Sequence, residues 1–339
     1  MKILLGMSGG LDSTYAARLL LAAGHTVEGA VLIMHDHTEV EEARESAAAL
    51  GIPLHEIDCR TRFDREVVLP FSMDYRAART PNPCILCNER VKFAVLYETM
   101  EKMAFDRMAT GHYARIAERD GRLCIARAED ERKDQSYVLY RLSQAVLSRL
   151  LLPLAGESKA AVRAAAAAEG LRAADRSESM EICFLPHGDH AAYITQRLGP
   201  LPQGSFVDTE GRVLGPHRGI LHYTVGQRKG LGIALGTRMF ITHIDPESGN
   251  ITLARDEERA VTSFTVEHTV FSGISERFEG EEPFLVRLRY LAPLVSCRVR
   301  FAENGCASVT LDLPVRAVTP GQSAVFYREN AVAFGGFIS

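Results

Sequence analysis

Lys2-Ile3-Leu4-Leu5-Gly6-Met7-Ser8-Gly9-Gly10-Leu11-Asp12-Ser13 is the stretch on which the fold turns. It is a short apolar run that ends in a glycine turn, and an amphipathic segment, Thr14–Ala23, follows and stops at Gly24. That order reads as strand, turn, helix. The pattern then repeats. Thr26–Met34 is an expected strand, Val40–Leu50 a helix ended by Gly51, and Leu54–Cys59 another strand. Asn88–Met103 is expected to be helical, and Arg107–Gly111 returns as a strand leading to His112. Strands alternating with helices of this length imply an α/β fold, a parallel sheet with helices on both faces. Ligands of such sheets bind at the carboxyl ends of the strands, where all these turns fall.

Beyond residue 136 the pattern changes. Ser136–Leu198 reads as mainly helical, and the alanine-rich Ala160–Glu169, ended by Gly170, as a packing helix without chemistry of its own. From Gly204 glycine, proline and turn pairs become frequent. Phe284–Tyr290, Ser296–Phe301, Ala307–Leu313 and Ala324–Tyr327 alternate with period two, as strands of a small barrel or sandwich do. Boundaries near 200 and 263 give three expected domains, 1–200, 201–263 and 264–339. The 339 residues suit two or three such units.

Composition narrows the classes. With 46% hydrophobic and 24% charged residues the chain is globular. Lys and Arg number 39 against 43 Asp and Glu, a net charge of −4, which excludes a general basic coat but not a local basic stripe. No run approaches the ~18 apolar residues of a membrane span. Gly9, Gly10 and Asp12 interrupt the opening too early for a signal peptide. Seven cysteines, an odd number in a long chain, argue against a secreted disulfide scaffold. The expected location is the cytoplasm, with no membrane partner.

The turn itself suits phosphate. Glycines let the backbone bend tightly with its N–H groups toward an anion, and the helix terminus adds a favourable field. Ser8 and Ser13 supply hydroxyls, and Asp12 suits a magnesium ion. The Gly-x-x-x-x-Gly-Lys-Ser/Thr form is absent, which disfavours a Walker phosphotransferase. A plain strand-to-helix turn is the competing reading of the glycine pair alone.

SGGLDS after the first strand resembles the signature of the PP-loop ATP pyrophosphatases, whose fold is adenine nucleotide alpha hydrolase-like. Six later segments narrow the likeness: ARTPNPCILCNERVKF from Ala78, ATGHYARI from Ala109, KDQSYVLY from Lys133, SMEICF from Ser179, YTVGQRKGLGI from Tyr223 and VTPGQSAVFY from Val318. Together they resemble the tRNA-specific 2-thiouridylase family along essentially the whole chain. The resemblance implies a PP-loop catalytic domain with a helical tRNA-contacting part, a central β-rich tRNA-binding domain and a C-terminal β-barrel. It implies an ATP-dependent sulfurtransferase that replaces the C2 oxygen of a wobble uridine with sulfur, drawing that sulfur from a donor protein such as a cysteine desulfurase or a relay protein.

Sulfur insertion needs an activated oxygen leaving group and a carrier that gives up its terminal sulfur. A persulfide does this, and a second thiolate completes the transfer by forming a disulfide with the first. By resemblance Cys87 matches the family's nucleophile and Cys183 its persulfide carrier, with Asp12 as a third catalytic group. Cys87 also precedes the expected helix, where the amino-terminal field favours a thiolate. Cys59, Cys124, Cys297 and Cys306 fall in strand-like runs and read as core or incidental. Many relatives carry Asp after Asn-Pro; here Cys84 stands there, giving Cys-x-x-Cys. Cys84 then either substitutes in substrate contact or serves as an auxiliary redox thiol, or joins Cys87 and Cys183 on a [4Fe–4S] cluster with one open iron. Structural zinc wants four ligands and is the weaker option.

The resemblance also assigns binding residues. Gly6, Met7, Ser8, Gly9, Gly10, Leu11, Asp12 and Ser13 would hold ATP with Mg2+, while Leu32 and Gly111 would meet the adenosine. Asn82, Pro83 and Cys84 would face the target base, with His112 beside the RNA or the cleft. Lys133, Asp134 and Gln135 would contact tRNA, as would Arg289, Tyr290 and Gln322. Independently, Gly211–Ile244 carries Arg212, Arg218, Arg228, Lys229 and Arg238 with no acid, a phosphate-binding composition. Arg287, Arg289, Arg298 and Arg300 alternate on expected polar faces, and Tyr290 suits stacking on a base. The target nucleotide is expected splayed out of its loop. Two other classes compete: a PP-loop ligase transferring nitrogen, which needs neither Cys87 nor Cys183, and a tRNA-binding protein with a degenerate ATP site.

Overall fold

The computed structural model describes residues 1–339 except 172, 174–181, 186–188, 304 and 317, and leaves out the side chain of residue 257. Ser179, Met180 and Glu181 of the SMEICF segment therefore lie outside the described residues, whereas Ile182, Cys183 and Phe184 are within them. Seven strands come from the first half: β1 (Lys2–Gly6), β2 (Thr26–Ile33), β3 (Leu54–Asp58), β4 (Arg107–Thr110), β5 (Arg115–Arg119), β6 (Arg122–Ala126) and β7 (Leu150–Leu151). Five of them form a parallel sheet in the order β3-β2-β1-β4-β7. β1 is buried on both faces: Ile3 and Leu5 enter one core and Leu4 the other. That is why its sequence reads as a continuous apolar run rather than an alternation.

The strand order places the site. From β1 the chain steps outward through β2 to β3, then returns to the other side of β1 as β4. The carboxyl ends of β1 and β4 therefore flank the switch point, where an open α/β sheet leaves a crevice for ligand.

A four-stranded sheet, β10-β11-β8-β9, follows, built from β8 (Ser205–Val207), β9 (Val213–Pro216), β10 (Phe240–Ile244) and β11 (Ile251–Ala254). The last six strands are β12 (Val261–Phe271), β13 (Glu282–Arg287), β14 (Val295–Phe301), β15 (Ala307–Val315), β16 (Ser323–Arg328) and β17 (Ala331–Ile338). They run β12-β15-β14-β13-β16-β17, and a β12–β17 pairing closes them into an antiparallel barrel. Its interior is filled by Phe284, Phe326 and Phe334, the last two rings stacked at 4.3 Å. The β5–β6 hairpin, which belongs in sequence to the first domain, joins the barrel sheet through β6–β17. Val325, Tyr327 and Val332 of the barrel share one core with Val91, Phe93 and Tyr137.

Three expectations change. The strand expected over Phe284–Tyr290 ends at Arg287, so Arg289 and Tyr290 lie beyond it. Cys59 lies just past β3, at the start of the helix Arg60–Phe63, and Cys306 just before β15, while Cys124 and Cys297 are strand residues as expected. The helix expected from Asn88 begins earlier. Asn82 caps it, its Oδ1 accepting from Cys84 N, and Pro83 takes the first helical position, where a missing N–H costs nothing. The helical run Pro83–Leu86 continues as a π-helical segment, Cys87–Lys92, and then as Phe93–Lys102. Cys87 is therefore inside a helical run, and the amino-terminal field expected for it belongs to Cys84.

Candidate active site

The glycine turn connects β1 to the helix Leu11–Ala22. Gly9 has φ +80°, and a Cβ there would stand 2.4 Å from the Glu42 carbonyl carbon, so only glycine fits. Gly111 is as constrained from the opposite side, its imagined Cβ lying 2.6 Å from the Asp12 carbonyl carbon. The end of β4 thus packs directly on the turn. Ser8 and Ser13 brace it from within: Ser8 N donates to Ser13 Oγ at 3.2 Å, and Ser13 Oγ donates to the Gly10 carbonyl at 3.1 Å. Ser46 Oγ donates to the Gly9 carbonyl. The first amides of a helix have no acceptor within it, and the macrodipole makes this end favourable for an anion. Leu32, on β2, is buried. The cradle fits a nucleotide phosphate chain.

Asp12 sits in the first helical turn, and two residues to which the sequence reading gave no role engage it. Lys159 Nζ lies 2.7 and 2.8 Å from its two carboxylate oxygens, and Tyr113 Oη donates to Oδ1 at 2.8 Å. Lys159 is the first residue of the alanine-rich helix Lys159–Ala168, so that element is more than packing. Tyr113 lay within the quoted ATGHYARI segment; Lys159 gave no local signal, because its partner is far away in sequence. A carboxylate at this position suits Mg2+, which usually takes one or two carboxylates plus phosphate oxygens.

Cys84, Cys87 and Cys183 share one electrostatic neighbourhood. Cys84, Cys87 and Cys183 are free, Cys84 and Cys183 exposed and Cys87 buried. Phe184 anchors the Cys183 segment by edge-on packing against Phe63 at 5.5 Å and Phe71 at 5.3 Å. Burial pushes the Cys87 thiol up to about 12, and neighbouring Cys84, Cys183 and Cys59 add to the rise while Lys92 opposes it. Burial likewise raises Cys183, with Cys84 adding, and raises Cys84; Lys92 opposes both. Desolvation wins over the cation for each thiol. Cys87 Sγ contacts Met34 Sδ at 3.8 Å.

Lys92 is the residue of this group that the sequence reading missed. In an α-helix, residues five apart diverge by roughly 140° around the axis. The π-helical turn, with its i→i+5 bonding (Phe93 N to Asn88 O), overlays them instead and brings Lys92 round toward the Cys87 side. Among the described residues no three His, Cys, Asp or Glu side chains are grouped to hold a metal ion. As arranged here, Cys84, Cys87 and Cys183 do not fit a [4Fe–4S] cluster or a zinc ion.

His112 follows β4 with Nδ1 2.9 Å from Thr110 Oγ1, its ring near Phe93. Burial, and secondarily the Lys92 charge, hold its imidazole down to about 3, so it is neutral at physiological pH.

The residues expected to meet RNA divide in two. Arg228, Lys229 and Arg289 are exposed, as are Arg218 and Arg238, and Tyr290 is half-buried. Arg228 and Arg238 line a cleft of about 590 Å³ with Gly230, Leu231 and Met239. Lys133 and Gln135 are half-buried, Gln135 accepting from Tyr113 N through Oε1 at 2.8 Å. Asp134 and Gln322 turn inward. Asp134 accepts from Arg287 Nη1 at 2.6 Å, from Ser136 Oγ and from Ala128 N. Arg287, expected on a polar face, is therefore buried: β13 pairs with β16 inside the barrel and faces the first domain there. Gln322 Nε2 donates to the Thr80 carbonyl at 2.6 Å, and Thr80 N donates to the Pro320 carbonyl. The Val318–Gln322 loop thus clamps the strip leading to Asn82, Pro83 and Cys84. An open cleft of about 850 Å³ lies elsewhere, at the sheet edge between Arg60, Arg62 and Lys102, and its arginines pair with Asp58, Asp36 and Glu98.

An anion cradle at the switch point of a parallel sheet, followed by a small β domain and a closed β-barrel, defines a PP-loop enzyme with two appended β modules. Residues 1–187 match the family model described as the tRNA methyl transferase HUP domain, 191–255 the tRNA methyl transferase PRC-barrel domain, and 261–338 the aminomethyltransferase beta-barrel domain. The tRNA-specific 2-thiouridylase MnmA 1 of Clostridium tetani is 39% identical over 352 residues, spanning 99% of this chain and 96% of that protein. The tRNA-specific 2-thiouridylases MnmA of Clostridium perfringens and Carboxydothermus hydrogenoformans are also 39% identical, each over 99% of this chain and over 98% and 97% of their own lengths. This chain belongs to the tRNA-specific 2-thiouridylase family. Among the described residues no helix is long and apolar enough to cross a membrane.

Proposed function

We infer that this protein is an ATP-dependent tRNA-uridine 2-sulfurtransferase acting on the wobble uridine of the anticodon loop in the cytoplasm. The observation that carries the reading is that Cys87 and Cys183, distant in sequence, share one electrostatic neighbourhood in a chain that has the glycine turn and matches the family along its length. The backbone of Gly6–Ser13 binds the phosphates, with Leu32 and Gly111 against the adenosine, and Mg2+ when bound shields phosphate charge beside Asp12. The uridine O2 attacks the α-phosphorus and pyrophosphate departs, which makes O2 a leaving group. The outer sulfur of a Cys183 persulfide then bonds to C2, and AMP leaves with the oxygen. The Cys87 sulfur, on losing its proton, attacks Cys183 Sγ; the S–S bond breaks, the tRNA keeps the outer sulfur, and a Cys87–Cys183 disulfide remains. A thiol reductant must reopen it, and a sulfur-donor protein reloads Cys183.

Burial of Cys87 in this state has a functional sense. A thiol held neutral until RNA enters does not attack the persulfide before the base is in place. Asn82, Pro83 and Cys84 face that base, and Lys133, Gln135, Arg228, Lys229, Arg289 and Tyr290 hold the RNA around it, with Asp134 and Gln322 acting from inside.

The test is mass spectrometry of cognate tRNA after incubation with ATP and a sulfur source. Cys183→Ser and Cys87→Ser are expected to abolish 2-thiouridine while tRNA-dependent pyrophosphate release persists. Thiolation by Cys183→Ser would end the persulfide reading. A ligase transferring nitrogen would tolerate alkylation of both thiols, and a binding protein with a degenerate site would release no pyrophosphate. The alternative expected from the sequence, a [4Fe–4S] cluster on Cys84, Cys87 and Cys183, is disfavoured by their arrangement and is tested directly. Anaerobic protein that is brown, holds iron and is active only with it would establish that reading; colourless, iron-free, active protein would remove it.

A further inference from the structure

Lys159 is in an unexpected place for a helix-forming residue. It occupies the first position of Lys159–Ala168, where Ser158 already caps the helix by accepting from Ala161 N, and where a positive charge opposes the macrodipole. Helix stability therefore does not account for it. Its side chain is only 12% exposed, and its ammonium lies against both oxygens of Asp12, a residue of the glycine turn 147 positions earlier. Its own backbone N–H donates to Asp130 Oδ2, and Arg18 Nε donates to Glu169 Oε2, so both ends of the helix are fastened near the turn.

A phosphate-binding turn built of glycine, serine and leucine supplies amides and hydroxyls, but its side-chain charge is the negative one of Asp12. A bound triphosphate requires compensating cations. A divalent ion beside Asp12 would compete with the lysine for the carboxylate and release the ammonium within reach of the phosphates. We propose that Lys159 is a phosphate-binding residue of the ATP site, parked on Asp12 in the nucleotide-free state and transferred to the phosphates when ATP enters. The inference rests on the reading of this turn as an ATP site. It makes Lys159 a residue for the departing pyrophosphate, whose charge rises as the bond to the α-phosphorus breaks.

Equilibrium binding of ATP, inorganic pyrophosphate and adenosine to the full chain tests it, with Lys159→Met and Lys159→Arg beside the native protein. Lys159→Met is expected to lose roughly tenfold or more in affinity for ATP and pyrophosphate while adenosine binding changes less than about twofold. Lys159→Arg, which keeps the charge and guards against misfolding of the methionine variant, is expected to recover most of the loss. ATP affinity in Lys159→Met equal to that of the native protein overturns the proposal. So does an equal loss for adenosine and ATP, which would mark a purely structural ion pair. Native protein that binds no ATP would bring down the functional reading as well, and is thereby distinguishable from failure of Lys159 alone.

Discussion

The carboxylate of Asp134 and the guanidinium of Arg287 meet at 2.6 Å with almost no solvent access, 153 residues apart in sequence. One belongs to the loop that carries Lys133 and Gln135, the other to barrel strand β13. Ser136 Oγ donates to the same carboxylate and lies 2.9 Å from Tyr327 Oη, so the loop is fixed to the barrel by a closed polar cluster. The loop proposed to face tRNA is thereby positioned by strand β13 of the barrel, away from the glycine turn in sequence.

Removing one partner of a buried pair strands the other charge. Arg287→Met is expected to destabilise the protein by about 3–5 kcal/mol, as measured by chemical denaturation. A loss below about 1 kcal/mol would mean that water reaches Asp134.

Thiol labelling should separate the two cysteines proposed to be catalytic, Cys87 and Cys183. The Cys87 thiol lies near 12 against an ordinary 9.0, so its neutral form is the one folding favours. That contribution is complete below about pH 9 and is lost as pH rises toward 12, because over that window the unfolded chain has already given up the proton. In the RNA-free protein at neutral pH, iodoacetamide is therefore expected to modify exposed Cys183 well before Cys87, and Cys87 labelling should keep accelerating beyond pH 9. Lys92→Gln should slow labelling of both. Rapid labelling of Cys87 at pH 7, followed by peptide mass mapping, would contradict the burial argument.

Gly111→Ala tests the packing of β4 on the phosphate turn. The added methyl would stand 2.6 Å from the Asp12 carbonyl carbon and 2.8 Å from Ser13 N, both backbone atoms that cannot step aside alone. ATP affinity is expected to fall by roughly tenfold or more, with the far-ultraviolet circular dichroism unchanged. Native affinity in this variant would show that the turn is not the phosphate site.

The exposed cations of the central domain should act through charge. Arg228→Ala combined with Lys229→Ala is expected to weaken tRNA binding and to reduce the slope of log affinity against log salt by about one to two. ATP binding without tRNA should not change. An unaltered salt slope would take these residues out of the RNA interface.

Much of this was legible in local sequence because its causes are local. The glycine turn needs Gly9 at positive φ, and the run before it needs apolar residues on both faces; both demands show in a dozen consecutive letters. The helix start at Asn82-Pro83 was equally legible, through cap chemistry. Strand β17 and the hairpin β5–β6 were harder, since Gly335 and Gly336 interrupt the expected strand pattern and the hairpin completes a sheet formed mostly two hundred residues later.

By itself the sequence determined the α/β character of the first domain, the position of the phosphate turn, the barrel strands whose alternation is regular, and the pair of cysteines worth testing. Only the tertiary structure decided which charges face inward. Asp134, Arg287 and Gln322 carry polar side chains that sequence assigns to solvent or RNA, yet each bonds a partner more than 150 residues away. Distant partners also place Lys159 on Asp12, 147 residues away, and Phe184, the neighbour of exposed Cys183, in the core that buries Cys87. Pairing across such distances is set by how domains close on one another, and no periodicity within a segment records it.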